Sequence, residues 1–271
     1  MIHFTRSVLV SATLFFIFIS SSAHAVDGAP VISRIQKSGK LVVGTSGNMP
    51  LMSEKLMTGE LVGFDIDIAK AMSETMGVKL ELKSMPFDQL IPALEQGKVD
   101  IVLSNMTMTM DRNMRVAFAG PYFVSGKCLI TKEQEIAQAD NPEDLKEADA
   151  KIAVVKGTTS ENFVKELLPL ARRIPVENID KGTNMVEKGE ANAFLTDFPI
   201  CLSVMKRHPD RGFQSVVSLL TYEPIGIALP ANDPLLMNLA RNFIDRAENV
   251  GLMQGLALKW FGQAKLSVIS E

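Results

Sequence analysis

Residues 99–123 read VDIVLSNMTMTMDRNMRVAFAGPYF. Val99 to Leu103 is a short run of strand character, apolar except for Asp100. It gives way at once to small polar residues, Ser104, Asn105, Thr107 and Thr109, then to Arg112, and closes on Gly120-Pro121-Tyr122. A strand with an apolar body and a polar C-terminal end lies in a sheet whose strand ends border a cleft, the usual place for ligands in open α/β sheets.

The same unit recurs on both sides of this stretch. Upstream, KLVVGTSGNMP reads as a strand breaking into a loop. GELVGFDIDIAKAMSETMG reads as a turn, a short strand and a helix, with Phe64, Ile68, Met72 and Met76 on one face and Gly77 as its stop. Asp65 reads as the cap of that helix and Asp67 as a first-turn acid favoured by the helix dipole. VKLELKS alternates as a half-buried strand, and FDQLIPALEQGKVD reads as a short helix that tolerates Pro92 near its start and stops at Gly97. Downstream, KIAVVKGTTSENFVKELL is strand, glycine loop and helix, with Thr158 and Glu161 spaced as a capping box. IPVENI, ANAFLTD and EPIGIALP read as strands, FPICLSVMKRH as a helix, and DPLLMNLARNFIDRAENVG with LMQGLALKWFG as two closing helices.

Strands alternating with helices predict parallel α/β units, here in two runs of about 100 residues. The first run lacks helix to cover both faces of its sheet, so the closing helices are expected to return to it. The predicted organisation is a leader at 1–25, a discontinuous lobe 1 at 29–122 plus 226–271, and lobe 2 at 123–225. Gly120-Pro121-Tyr122 and Thr221–Gly226 are the expected crossings. The leader is predicted from the apolar VLVSATLFFIFI, Val8–Ile19, followed by Ala23-His24-Ala25. That run is shorter than the roughly 20 residues of a membrane span, as in a cleavable secretory signal.

The net charge of the 271-residue chain is −3, and no basic block occurs, which argues against nucleic acid. The two cysteines, Cys128 and Cys201, form no C-x-x-C motif. In a domain this large they are expected as buried free thiols rather than as a pair. Without a His or Cys cluster no metal or other cofactor is expected.

Four segments end strands and would face the cleft: Ser46–Met52, Ser104–Arg112, Gly157–Ser160 and Thr196-Asp197. Arg112 can clamp a carboxylate with two parallel bonds. Thr158, Thr159 and Ser160 open a helix whose free N–H groups favour an anion. Asp197 can pair an ammonium, and Ser104, Asn105 and Thr107 add neutral donors and acceptors. Together these make a site for a small zwitterion divided between two lobes. Taken singly, each has a plainer reading: an edge salt bridge for Arg112, a capping box for Thr158, and a helix cap for Asp197.

GELVGFDIDIAKAM, FDQLIPALEQGKVDIV, SNMTMTMDR with FAGPYF, GTTSENF, FLTD and GLMQGLALKWF together resemble the polar amino-acid-binding proteins of ABC importers, solute-binding protein family 3. The resemblance runs from about Lys40 to Phe261. It implies the type II periplasmic-binding-protein fold, in which two lobes, each a central sheet flanked by helices, close by a hinge over a cleft. It also implies a monomeric periplasmic receptor that delivers an amino acid to a membrane permease. It places Arg112 on the ligand carboxylate with Thr158 and Thr159, Asp197 on the ammonium with Ser104, Asn105 and Thr107, and Phe87 against the ligand. Ser46, Asn48 and Met49 fall in the loop after the first strand. There Met49 and Met52 stand where the family carries aromatics, and no acid stands at Ser46. An uncharged or apolar ligand side chain is therefore expected. Two other functions fit the pattern. One is an enzyme similar to periplasmic cyclohexadienyl dehydratases, although Ile200 stands where their acid falls. The other is a ligand-sensing receptor for a signalling partner.

Overall fold

The computed structural model describes residues 28–138, 150–216 and 221–262. The predicted leader lies outside them. The chain runs through helix α1 (Pro30–Ser38), strands β1 (Lys40–Thr45), β2 (Asn48–Met49), β3 (Ser53–Lys55) and β4 (Leu61–Val62), helix α2 (Phe64–Met76), β5 (Lys79–Ser84), a 3₁₀ turn (Phe87–Gln89), α3 (Leu90–Glu95), β6 (Ile101–Val102), α4 (Met110–Asn113) and β7 (Ala117–Ser125). Then follow β8 (Lys127–Thr131), α5 (Gln134–Ala137), β9 (Lys151–Val155), α6 (Thr159–Leu167), β10 (Arg172–Val176), α7 (Ile179–Glu187), β11 (Ala193–Asp197), α8 (Phe198–Arg207) and β12 (Gln214–Val216). The chain closes with β13 (Glu223–Leu229), α9 (Pro234–Asn249) and α10 (Leu252–Phe261).

These strands form two five-stranded sheets. Lobe 1 holds the order β5-β1-β6-β13-β7 and lobe 2 the order β10-β9-β11-β8-β12. Neither sheet is wholly parallel as the strand–helix alternation predicts. β5, β1 and β6 run parallel, but β13 is antiparallel to β6 and β7. β10, β9 and β11 run parallel, but β8 is antiparallel to β11 and β12. The exceptions, β8 and β13, are the strands by which the chain enters a lobe from the other. A chain arriving from the other lobe starts its strand at the cleft end, so it runs against the strands that finish there. β7 stays in the first sheet to Ser125, and β13 rejoins it at Glu223, paired with Ser125. The first sheet thus ends with β7 at Ser125 and the second begins with β8 at Lys127, while β12 ends in the second sheet at Val216.

The closing helices pack on lobe 1. Phe261 of α10 stacks on Phe123 and meets Phe64, each at 5.2 Å between ring centres. Lys259 Nζ and Trp260 Nε1 donate to Asp67, the first-turn acid of α2. Asp233 accepts from Leu236 N–H to cap α9 and from the Val31 and Ile32 N–H groups at the start of α1. α2 is capped differently from expectation. Gly63 is its N-cap, and Asp65 points inward. The fully buried Asp65 accepts from Tyr122 Oη and from Asn105 N–H, each at 2.7 Å.

Cys128 and Cys201 are joined in a disulfide, with Cα atoms 6.4 Å apart, rather than standing as free thiols. β8 pairs with β11, and β11 runs straight into α8, so Cys201 on the first turn of α8 lies over Cys128. Tertiary packing closes a separation of 73 residues that sequence spacing conceals.

Candidate functional site

Both sheets present the C-terminal ends of their parallel strands to one cleft. β1 ends at Thr45-Ser46, and the Ser46 N–H donates to Ser104 Oγ just past β6. That bond ties two strand ends together and places Asn105 in the left-handed conformation, φ 48°. Asn, with its short polar side chain, adopts this conformation more readily than most residues. With its N–H held by Asp65, the Asn105 side chain reaches across the cleft and donates to Asp197 Oδ2 at 2.7 Å.

Asp197 occupies the N-cap position of α8, but its carboxylate makes no capping bond. Its other oxygen accepts from Lys127 Nζ at 2.5 Å. Lys127 opens β8 directly opposite Asp197 in the β8–β11 ladder, and its side chain is buried. The ammonium also meets Thr159 Oγ1 at 2.6 Å and Glu223 at 3.3 Å. Glu223, at the start of β13, accepts from Thr159 and Thr221 hydroxyls at 3.0 Å each. Burial pushes the Glu223 carboxyl up. Lys127 and the surrounding threonine hydroxyls outweigh this and leave it below the usual carboxylate range.

Arg112 sits on α4, whose first turn is capped by Thr109 Oγ1. Its guanidinium donates to the Thr107 carbonyl at 2.7 Å and, across the cleft, to the Gly157 carbonyl at 3.2 Å. It lies 5.4 Å from the centre of the Phe87 ring, within cation–π range. Desolvation lowers it to about 10, while Glu223 and Asp197 act the other way. Neither acid touches it. Among the described residues it has no carboxylate in ion-pair contact.

Beside Phe87 a cavity of about 540 Å³ opens between the lobes, lined on one side by Ser46, Asn48, Ser84 and Gln89 and on the other by Lys156, Glu177 and Asn178. Asn48 Oδ1 and Asn105 Oδ1 are buried without a hydrogen-bond partner. Met49 and Met52 do not line this cavity. Both are buried in the lobe 1 core, Met49 at the end of β2 and Met52 just before β3. The cavity wall mixes polar residues with Met85, Pro86 and Phe87, and Met49 and Met52 give no ground for the expected uncharged or apolar ligand side chain. Thr158 also turns away, donating to the Val155 carbonyl of its own loop, and Glu161 reaches Gly157 N–H. Neither bond of the expected capping box forms, since Thr158 makes no side-chain cap and Glu161 serves the residue before Thr158. The structure therefore gathers Asn105, Thr107, Arg112, Thr159 and Asp197 into one cluster, and Ser46, Asn48 and Phe87 into the adjoining cavity. Ser104 serves as a brace.

Sequence reasoning missed Lys127 and Glu223. Each carried a signal: a lysine opening the apolar strand CLIT and a lone acid opening EPIGIAL, both at the crossings between lobes. Salt bridges span the cleft rim, Lys156 to Asp88 at 3.1 Å and Arg207 to Glu54 at 2.7 Å. A second hollow, near 490 Å³, lies between α2 and α9 and shares no residue with the cleft.

Two α/β lobes joined by two crossings and meeting over a charged cleft define a solute-binding protein of the periplasmic-binding-protein fold. The chain belongs to the bacterial extracellular solute-binding proteins, family 3, whose family model matches residues 41–263. It is 30% identical to the probable histidine-binding protein of Neisseria gonorrhoeae, over 76% of each chain. It is 29% identical to the glutamine-binding protein of Geobacillus stearothermophilus, over 77% of this chain and 79% of that one. A solved structure, the ancestral amino acid-binding protein AncCDT-1, described as a precursor of cyclohexadienyl dehydratase, superposes with a TM-score of 0.78. It shares 37% identity and covers 85% of this chain and 99% of that one.

Proposed function

We propose that this protein captures a small carboxylate-bearing metabolite, an amino acid or a close relative of one, between its lobes. It then delivers that solute to an ABC permease. The observation that carries this reading is Arg112, a desolvated guanidinium at the interlobe cleft with no carboxylate in contact. A ligand carboxylate supplies the missing partner, since charge-assisted bonds to a guanidinium are strong and directional. The amino-acid class is supported by the glutamine- and histidine-binding relatives. The cavity beside Phe87 accommodates the rest of the solute, and the unpartnered Asn48 Oδ1 favours a side chain with N–H or O–H donors.

The protein works as a receptor rather than a catalyst. Ile200, buried after Asp197, leaves no acid there. The nearby Asp197 and Glu223 are held in ion pairs, and Glu223 is kept ionised, which makes it a poor proton donor. Export follows from the leader with cleavage near Ala25, and the working form is a periplasmic monomer.

Calorimetry with a panel of amino acids and related acids tests the proposal. Arg112→Ala is expected to weaken the best ligand roughly 10- to 100-fold, the worth of one charge-assisted contact, with the unfolding transition retained. Unchanged affinity in this variant would remove Arg112 from the site and the proposal with it.

A further inference from the structure

The carboxylate that should receive a ligand ammonium already holds one. Asp197 accepts from Lys127 Nζ on one oxygen and from Asn105 on the other. Glu223 accepts from Thr221 and Lys127 on one oxygen and from Thr159 on the other. The three positions on the Lys127 ammonium are matched by Asp197, Glu223 and Thr159. The Lys127–Asp197 pair lies within lobe 2 and does not depend on lobe closure, whereas the Asn105 and Glu223 contacts cross from lobe 1. Lys127 and Asp197 stand directly opposite each other in the antiparallel ladder of lobe 2, where facing residues interact as a cross-strand pair. The Lys127 N–H is tied to Thr221 Oγ1 besides. A second ammonium placed on Asp197 would have to break one of these bonds and stand beside a buried like charge, which disfavours it strongly in a desolvated site. Arg112, by contrast, still wants an anion.

We infer that Lys127 is a resident occupant of the ammonium subsite. The solutes this cleft prefers are then carboxylates without a free α-ammonium, the 2-oxo or 2-hydroxy counterparts of amino acids. This rests on the proposal that Arg112 holds a solute carboxylate in this cleft. Lys127 acts as a specificity determinant, excluding the α-ammonium; Asn105 Oδ1, the unpartnered buried acceptor beside it, can receive the hydroxyl of a 2-hydroxy acid.

The experiment compares matched probes that differ only at Cα: L-amino acids and their 2-oxo and 2-hydroxy acids. Each is titrated into the wild-type protein, Lys127→Gln and Arg112→Ala. The wild type is expected to bind its best oxo or hydroxy acid at least 10-fold more tightly than the matched amino acid. Lys127→Gln is expected to move that ratio at least 10-fold toward the amino acid, and Arg112→Ala to lose both. A wild type that prefers the amino acid overturns the inference. If that binding also disappears in Arg112→Ala, the proposed function stands without it. A wild type that binds no acid of either series removes the proposed function as well. The wild-type ratio decides the matter even if Lys127→Gln does not fold; in a folded variant an unmoved ratio also overturns the role of Lys127.

Discussion

Asp65 is a fully buried carboxyl in lobe 1. Burial raises its carboxyl to about 7, against an ordinary value of 3.8, although Tyr122 and the Asn105 N–H both donate to it. The sign follows from proton linkage: between these two values the folded state binds more protons than the unfolded state. Stability from this group is therefore greatest below pH 4 and declines as pH rises to 7. The full ionisation cost above pH 7 is on the order of 4 kcal/mol. Asp65→Asn should flatten that part of the pH profile, measured by urea unfolding between pH 4 and pH 8. A slope unchanged from wild type would show that Asp65 is not the group responsible. The same residue fixes Asn105, so its charge state reaches the cleft through one backbone bond.

At the scale of elements, the entry to α2 depends on Gly63. Its φ of 139° is open only to glycine, and a Cβ there would lie 2.1 Å from the Met52 carbonyl oxygen. Gly63→Ala should lower stability by roughly 3 kcal/mol, read as a reduced urea midpoint with an unchanged slope. A variant as stable as wild type would mean that the β3–α2 junction adjusts freely. The disulfide acts at the same scale, fastening β8 to α8. Because it closes a loop of 73 residues, reduction or Cys128→Ser should cost about 4 kcal/mol on the loop-entropy account. Calorimetric melting with and without reductant checks this, and equal melting temperatures would argue against it.

For the whole molecule, the decisive feature is how closely the lobes meet. Gly157 of lobe 2 faces Asp88 of lobe 1, and a Cβ at Gly157 would come within 2.9 Å of the Asp88 Cβ. Gly157→Ala should therefore obstruct closure, weakening ligand affinity at least 10-fold while lowering stability by only about 1 kcal/mol for its positive φ. Small-angle scattering of the liganded variant should show a more open molecule than liganded wild type. Equal radii and equal affinity would show that closure does not need this approach.

Much was legible in local pattern. Periodicity located the helices, the polar turn at Ser104–Arg112 marked a strand end at a cleft, and the paucity of helix in the first run sent α9 and α10 back to lobe 1. These are properties of short windows, in which side-chain spacing and turn chemistry are written directly. Strand direction was not legible, because β8 and β13 read like any other strand until the lobe they enter fixes their sense. Nor was the partner of Lys127, of Cys128 or of Asp65. Each lies dozens of residues away and is brought near by sheet register or helix packing. The sequence by itself determined two α/β units and a guanidinium at their junction. The tertiary structure alone decided which acids that junction had already matched with a cation, because ion pairing in a buried cleft depends on distances that only the folded chain sets.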